Sequence, residues 1–368
     1  MRKEENAVVL LYTAWETISN AKDMCFKQMK GGKLMLSIKE KFKTNPLLYY
    51  ALSICATWAG IGSLMNGVAM TQAYGIIPSV IWVLGNTLAC ILFGYTAMRI
   101  PKVREVFCSK AMLMICGLMC VFQAWLSMNG MQAVFADTIY PDAGLYIAYA
   151  EAIIFVIILY HFGLIRNVLT DGIGWLVVYA LAVGVTIAAL VETGGNYNVI
   201  SWGLEQEPML QGIWKAILLL PGPFTYPFFF KILNYNDSNS EGTQKIDVQK
   251  AFTLGGIFFG IYMAIVFALA WTQFSPALNV AKAILITIIG TSTLSSAMYS
   301  IYIAFGKKWG LLLNIALVAG WHILIPLGVM GMWTLMASVR IYFVSGAILF
   351  AYLWNYLEKR KEVAKREA

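Results

Sequence analysis

The sequence predicts an all-α membrane protein of ten transmembrane helices, arranged as a 5+5 inverted repeat with helices 1 and 6 broken. Three observations carry this. Hydrophobic residues make up 60% of the 368 and charged residues 12%, at a mean hydropathy of +0.69, which excludes a soluble globular domain. Apolar stretches long enough to cross a bilayer recur along the chain. Two of them, about 160 residues apart, are interrupted by glycine and proline at matching places.

The sixth stretch, 209–233, carries Pro221, Gly222, Pro223 and Pro227 in its middle. Each proline removes a backbone donor and clashes with the preceding turn. Such a break at membrane depth is tolerated only where protein or a wet cavity satisfies the freed carbonyls. The first stretch is weakened in the same way by Gly60, Gly62 and Gly67. Paired breaks in two halves point to a transporter's midplane binding site, although two kinked packing helices would leave the same mark.

In chain order, residues 1–45 are polar and lysine-rich, with an amphipathic pattern over Met24–Phe42. They are expected to form a cytoplasmic basic segment, either a free tail or a helix on anionic lipid. The spans follow at 47–73, 76–98, 111–136, 144–161, 166–190, 209–234, 248–273, 276–306, 308–336 and 337–357. Repeat one covers 47–190 and repeat two 209–357 within a core of 46–357, and 358–368 is a basic cytoplasmic tail. An odd number of spans per half inserts the second half upside down relative to the first.

Charge agrees with this division. Of the 27 Lys and Arg residues, 9 lie in the N-terminal segment, 5 in the C-terminal tail and 10 in the loops on the same side. Only Lys215, Lys282 and Arg340 fall elsewhere, so the positive-inside rule places both termini in the cytoplasm. The loops at 137–143 and 191–208 are then external. Ala7–Trp15 is too short and too poorly flanked for a secretory signal. The six cysteines show no CxxC or Cys/His spacing; Cys116 and Cys120 share a helix face and read as free buried thiols.

Local patterns in this order resemble the solute:sodium symporter family, whose fold is LeuT-type. Trp58-Ala-Gly-Ile-Gly-Ser-Leu-Met-Asn-Gly67, Ala73-Tyr-Gly75 and Trp82-Val-Leu-Gly85 are similar to its glycine-rich first core helix and the continuation. Tyr160-His-Phe-Gly163 with Val168-Leu-Thr-Asp171 resembles the junction of its fourth and fifth core helices. Pro223–Asp237 into Asp247-Val-Gln-Lys250 resembles its sixth, and Ser292-Thr-Leu-Ser-Ser296 its hydroxyl box on the eighth. Ser295 stands where that box commonly has Asp, and Phe162 where a second glycine is frequent. The family's additional peripheral helices are not expected, which leaves a shortened ten-helix member.

The resemblance implies a sodium site formed by the Ser292 and Thr293 hydroxyls and the Ile289 carbonyl, opposed by Thr57 and Gly60 of the first span. Span 8 is dense in hydroxyls, from Thr291 to Ser300, and these suit either an alkali cation or close helix packing. Solute contacts are expected from Asn66, Gln123, Ser127, Phe224, Tyr226 and Ser296. The amides of span 3 can equally join helices, and the aromatics at the sixth break can be ordinary core. Ionisable groups inside spans are functional suspects by default, which raises Glu151 and His322. Glu151 can also simply reach the interface, and His322 can be a satisfied buried histidine. Span 1 has no acid, which argues against a first-helix carboxylate for a solute ammonium.

The expected function is sodium-coupled symport of a small polar organic solute by alternating access. A non-transporting solute sensor or scaffold of transporter fold, or a proton-coupled permease of another LeuT-type family, is the alternative. No HExxH or GxSxG motif and no paired carboxylates at membrane depth suggest an enzyme. The expected partners are the lipid bilayer, the solute and Na+, with no organic cofactor and no nucleic acid. The oligomeric state is left open.

Overall fold

A computed structural model describes residues 45–136, 138–161, 163–234, 245–272, 275–323 and 328–367. The expected N-terminal segment therefore lies outside the described residues, Asn45 excepted. All elements described are helical: α1 Pro46–Trp58, α2 Ile61–Tyr74, α3 Ile76–Arg99, α4 Pro101–Cys108, α5 Lys110–Phe135, α6 Ala143–Leu159 and α7 Leu164–Thr193. Then come α8 Gln206–Leu219, a 3-10 turn Gly222–Thr225, α9 Pro227–Leu233, α10 Val248–Phe267, α11 Pro276–Gly320 and α12 Gly328–Glu367.

Both expected breaks are present. α1 and α2 meet at 63°, and the α8 segment meets α9 at 64°. At the first break Gly60 is extended (φ −72°, ψ 169°), and the Gly60 N–H turns back to the Trp58 carbonyl at 3.0 Å. The last ladder bond of α1 runs from Ala59 N–H to the Cys55 carbonyl, so the ladder stops short of the carbonyls of Ala56 and Thr57. At the second, Tyr226 is extended (φ −104°, ψ 103°), as a residue before proline prefers, and Pro227 opens α9.

Six helices have the length and apolarity of a membrane crossing, or eight if each bent pair is one crossing, so the chain is an integral multi-pass membrane protein. The expected ten are not reached by this measure. α6 has only 17 residues, and Pro276–Ile323 runs on as one 48-residue element. Within that element Gly306 leaves the helical region (φ 75°, ψ 174°), where the sequence places the boundary between spans 8 and 9.

One boundary and one loop differ from expectation. The division at 336/337 falls inside α12, where Met336 and Ala337 are both buried. α11 gives way to a 3-10 turn at Trp321–Ile323, and α12 is described from Gly328. Continuous apolar residues in the sequence hide this end of α11. The segment after the second span also contains a helix, α4, which buries Val103 and Phe107 and opens on Pro101.

α5 and α11 form the most extensive helix pair, and α3 packs on α10 and α8. Outward positions carry large apolar side chains at helical spacing, such as Leu84, Leu88 and Leu92 on α3 and Leu349, Phe350 and Leu353 on α12. Such stripes suit lipid.

The α2–α3 turn is closed by the loop before α8. Ile76 N–H and Ile77 N–H donate to the carbonyls of Ser201 and Trp202, at 3.0 and 3.1 Å. Gly75 makes this possible, with φ 98° and with Gly203 N and Ser201 O both 2.7 Å from where a Cβ would sit. Gly75→Ala is therefore expected to destabilise the protein by about 1–3 kcal/mol, read as a lower apparent Tm in detergent. An unchanged Tm would mean that the loop is not clamped there.

Candidate functional site

Three helices converge on one buried carboxylate. Ser53 and Thr57 are one turn apart on α1, Asn167 and Asp171 on α7, and Ser292 and Ser296 on α11, each pair at i,i+4 and so on one face. The Ser53 hydroxyl donates to Asp171 Oδ2 at 2.9 Å, and the Asn167 amide donates to the same oxygen at 3.2 Å. Ser296 Oγ lies 3.5 Å from Asp171 Oδ2 and 2.9 Å from Thr57 Oγ1. Asp171 is 3% exposed, and the only ion pairs among the described residues join Lys102 to Glu105 and Glu358. Placing a carboxylate in a low-dielectric interior costs several kcal/mol even after relaxation. Neutral donors lower that cost without cancelling the charge. The arrangement is a buried cluster of oxygens around one carboxyl group that has no cation within ion-pair distance among the described residues.

The expected sodium ligands lie around this network. Thr57 is in it. Gly60 is close to Thr293, whose Cγ2 would stand 3.6 Å from a Cβ built on Gly60. The Gly60 carbonyl, however, already accepts from Ser63, both from its N–H at 2.8 Å and its hydroxyl at 2.6 Å. The Thr293 hydroxyl donates to the Ile289 carbonyl at 2.8 Å, so that hydrogen stays within α11. Ser292 is buried; its hydroxyl is 3.9 Å from where a Gly174 Cβ would sit, on the α7 side of α11.

The sixth-span break is satisfied by side chains of other helices. The Cys116 and Cys120 thiols of α5 donate to the carbonyls of Phe224 and Thr225, at 3.5 and 3.4 Å. Ser300 of α11 accepts from Phe228 N–H at 3.3 Å. Of the two ways to satisfy the freed carbonyls, protein or a wet cavity, these two meet protein thiols, from two free cysteines one turn apart on α5. The two breaks also touch each other. Trp58, at the end of α1, lies against Gly222, edge-on to Tyr226 at 6.4 Å, with its indole N–H on the Asn86 carbonyl at 3.1 Å.

The expected solute contacts divide. Gln123 and Tyr226 share a partner in Arg340, which donates from Nη2 to Gln123 Oε1 at 3.3 Å and lies 5.6 Å from the centre of the Tyr226 ring. Gln123 Nε2 is also 3.3 Å from a Cβ position on Gly60, so this amide spans from the first break to Arg340. Ser127 is buried and returns its hydroxyl to the Gln123 carbonyl. Ser296 belongs to the Asp171 network. Phe224 packs into an aromatic cluster with Phe93 and Phe107 at 4.8 and 5.3 Å and is a core residue here. Asn66 is half-buried on α2, next to Gly62.

Of the two in-span suspects, Glu151 is half-buried and accepts from the Thr291 hydroxyl of α11, at 2.8 and 2.9 Å. His322 is exposed in the short 3-10 turn after α11, not buried in mid-span. The sequence reading assigns no role to the two deepest charges, Asp171 and Arg340. Asp171 lies about two turns inside α7, whose start at Leu164 precedes the expected 166. Arg340 is hidden by the misplaced boundary at 336/337, which puts it at a helix end. An ionisable residue inside an apolar run is the signal for both.

No family model and no curated protein sequence matches the chain. Among solved structures, the chain shows a partial likeness to a manganese transporter from Eremococcus coleocola, in complex with an aromatic bis-isothiourea substituted compound. The identity is 10%, over 83% of this chain and 76% of that one, and the TM-score is 0.43, a likeness that assigns neither family nor cargo.

Proposed function

We propose that the protein is a secondary active transporter in which an alkali cation, sodium, bound among α1, α7 and α11, drives symport of a small polar organic solute. The single observation that carries this reading is the convergence of Ser53, Thr57 and Ser296 on the buried, ion-unpaired Asp171 beside a broken helix. Hydroxyl and carboxylate oxygens are hard ligands. Each hydroxyl keeps lone pairs when its hydrogen turns elsewhere, and the entering cation neutralises Asp171. The cation and α1 are thereby linked: holding it fixes α1 against α7 and α11, the coupling that alternating access requires.

Dividing α11 at Gly306 and counting α6 and each bent pair as one crossing makes ten spans, the number that the proposed LeuT-type 5+5 inverted repeat requires. The near-equal bends of 63° and 64° in the first and sixth spans support that layout. The resemblance to the solute:sodium symporters rests on the motifs of the sequence. A buried carboxylate is also a proton carrier, so Asp171 specifically favours proton coupling as the second reading.

Uptake by proteoliposomes under an imposed inward sodium gradient, or an imposed proton gradient, separates the two. Sodium-driven accumulation is expected; accumulation with protons alone would transfer the role of Asp171 to a proton. The proposed orientation, with cytoplasmic termini, is tested at Asp142 and Glu205, both exposed. Changed singly to Cys in a background lacking Cys25 and Cys108, they are expected to react with impermeant maleimide in intact cells. Reaction only after the membrane is opened would invert the topology.

A further inference from the structure

We propose that Arg340 is the anchor for a carboxylate on the transported solute, an inference that rests on the transporter reading above and narrows its substrate class. Arg340 is 5% exposed about three turns inside α12, among the few cations within an apolar span. Its guanidinium stays charged at any physiological pH and carries five donors. Those donors are poorly used. Nη2 makes one long bond to Gln123 Oε1 at 3.3 Å, the Tyr226 hydroxyl is also within reach of the guanidinium, and Nε is buried with no acceptor among the described residues. The nearby faces are the Tyr226 ring and, through Gln123, the Gly60 break. No carboxylate lies within ion-pair distance among the described residues.

A cation–π contact offsets only part of the cost of a buried guanidinium. The Nε and Nη2 hydrogens point the same way, the edge that pairs side by side with a planar carboxylate. On this edge Nε has no acceptor among the described residues and Nη2 has only the long bond to Gln123. The edge lies where the two broken helices meet, since Gln123 faces the first break and Tyr226 begins the far side of the second. A neutral solute would leave the charge as it is, and a cationic one would add to it. A carboxylate completes it, and with Asp171 awaiting a cation the loaded transporter carries two compensated charge pairs.

The test uses the purified full-length protein in detergent and reads its apparent Tm. Propionate, alanine, succinate and benzoate are added at millimolar concentration, each beside its uncharged amide, with sodium present. At least one carboxylate is expected to stabilise the wild type, with at least about tenfold tighter apparent binding than its amide. Arg340→Gln is expected to abolish that response while keeping the stabilisation by sodium alone. Arg340→Met, which removes the unpaired charge and keeps the bulk, is expected to match or exceed the wild type in ligand-free Tm. Equal responses to acid and amide, no response to any carboxylate, or a carboxylate response surviving in Arg340→Gln would each overturn the proposal. So would a lower ligand-free Tm for Arg340→Met, which would mark Arg340 as a structural residue. A lost sodium response with an intact carboxylate response would instead sink the sodium reading and leave this one standing.

Discussion

Asp171→Asn is expected to abolish sodium-driven uptake while leaving the protein folded and inserted. The substitution keeps the shape of the side chain and an oxygen for Ser53 to bond, at 2.9 Å in the native network. What it removes is the one carboxylate that the described residues place beside Thr57 and Ser296. A cation held by neutral oxygens alone gains none of the charge pairing that offsets desolvation on both sides. The expected loss in apparent sodium affinity is at least about a hundredfold, on the order of 2.8 kcal/mol. Folding should not suffer in the same way, because Asp171 is buried with no counter-ion among the described residues and Asn carries no charge to bury. The ligand-free Tm of Asp171→Asn is therefore expected to equal or exceed that of the wild type. Sodium titration of uptake and of Tm, each done on both proteins, reads the two effects separately. An unchanged sodium dependence in Asp171→Asn would remove the carboxylate from the cation site. A lost proton dependence in a sodium-indifferent wild type would make Asp171 the proton carrier.

The breaks were legible because they are backbone events with backbone causes. Pro223 and Pro227 cannot continue a helix, and Gly60 tolerates the close approach of Gln123 and Thr293. The contact of the first break with the hydroxyl-rich face of α11 was also foreseeable from span order, and Thr57 meets Ser296 across 239 residues of chain. What the sequence concealed is side-chain direction. Nothing in Cys116 and Cys120 says that their thiols cap the carbonyls of Phe224 and Thr225, since a thiol is equally at home against apolar neighbours. Nor does a hydroxyl reveal whether it turns outward or back to its own helix, and Thr293 turns back to Ile289. Boundaries fail where apolar composition is uniform. The 308–336 run reads as one span although the helix stops within it, and that slip moved Arg340 from the interior of α12 to its margin.

Gly222→Ala is expected to damage the junction between the two breaks, and Trp58→Phe to relieve that damage. A methyl on Gly222 would sit 2.6 Å from Trp58 Cζ3, well inside contact distance. The indole has little room to yield: its N–H is fixed to the Asn86 carbonyl at 3.1 Å, Tyr226 meets it edge-on, and it is only 7% exposed. Overpacking of this kind costs about 1–3 kcal/mol when the neighbour cannot shift. The smaller ring of phenylalanine forfeits the Asn86 bond but opens space where the methyl would enter. Each single variant is therefore expected to lower the apparent Tm, and the double variant to lose less than the two losses added. A favourable coupling of about 1 kcal/mol is within the range for residues in direct contact. In transport, the clash holds α1 away from the 3-10 turn, so Gly222→Ala should slow maximal uptake more than it weakens sodium affinity, which is set on the other side of α1. Strictly additive losses would mean that Trp58 and Gly222 do not touch and that the breaks move independently. A loss of sodium affinity as large as that of Asp171→Asn would mean that the sixth-span turn belongs to the cation site itself.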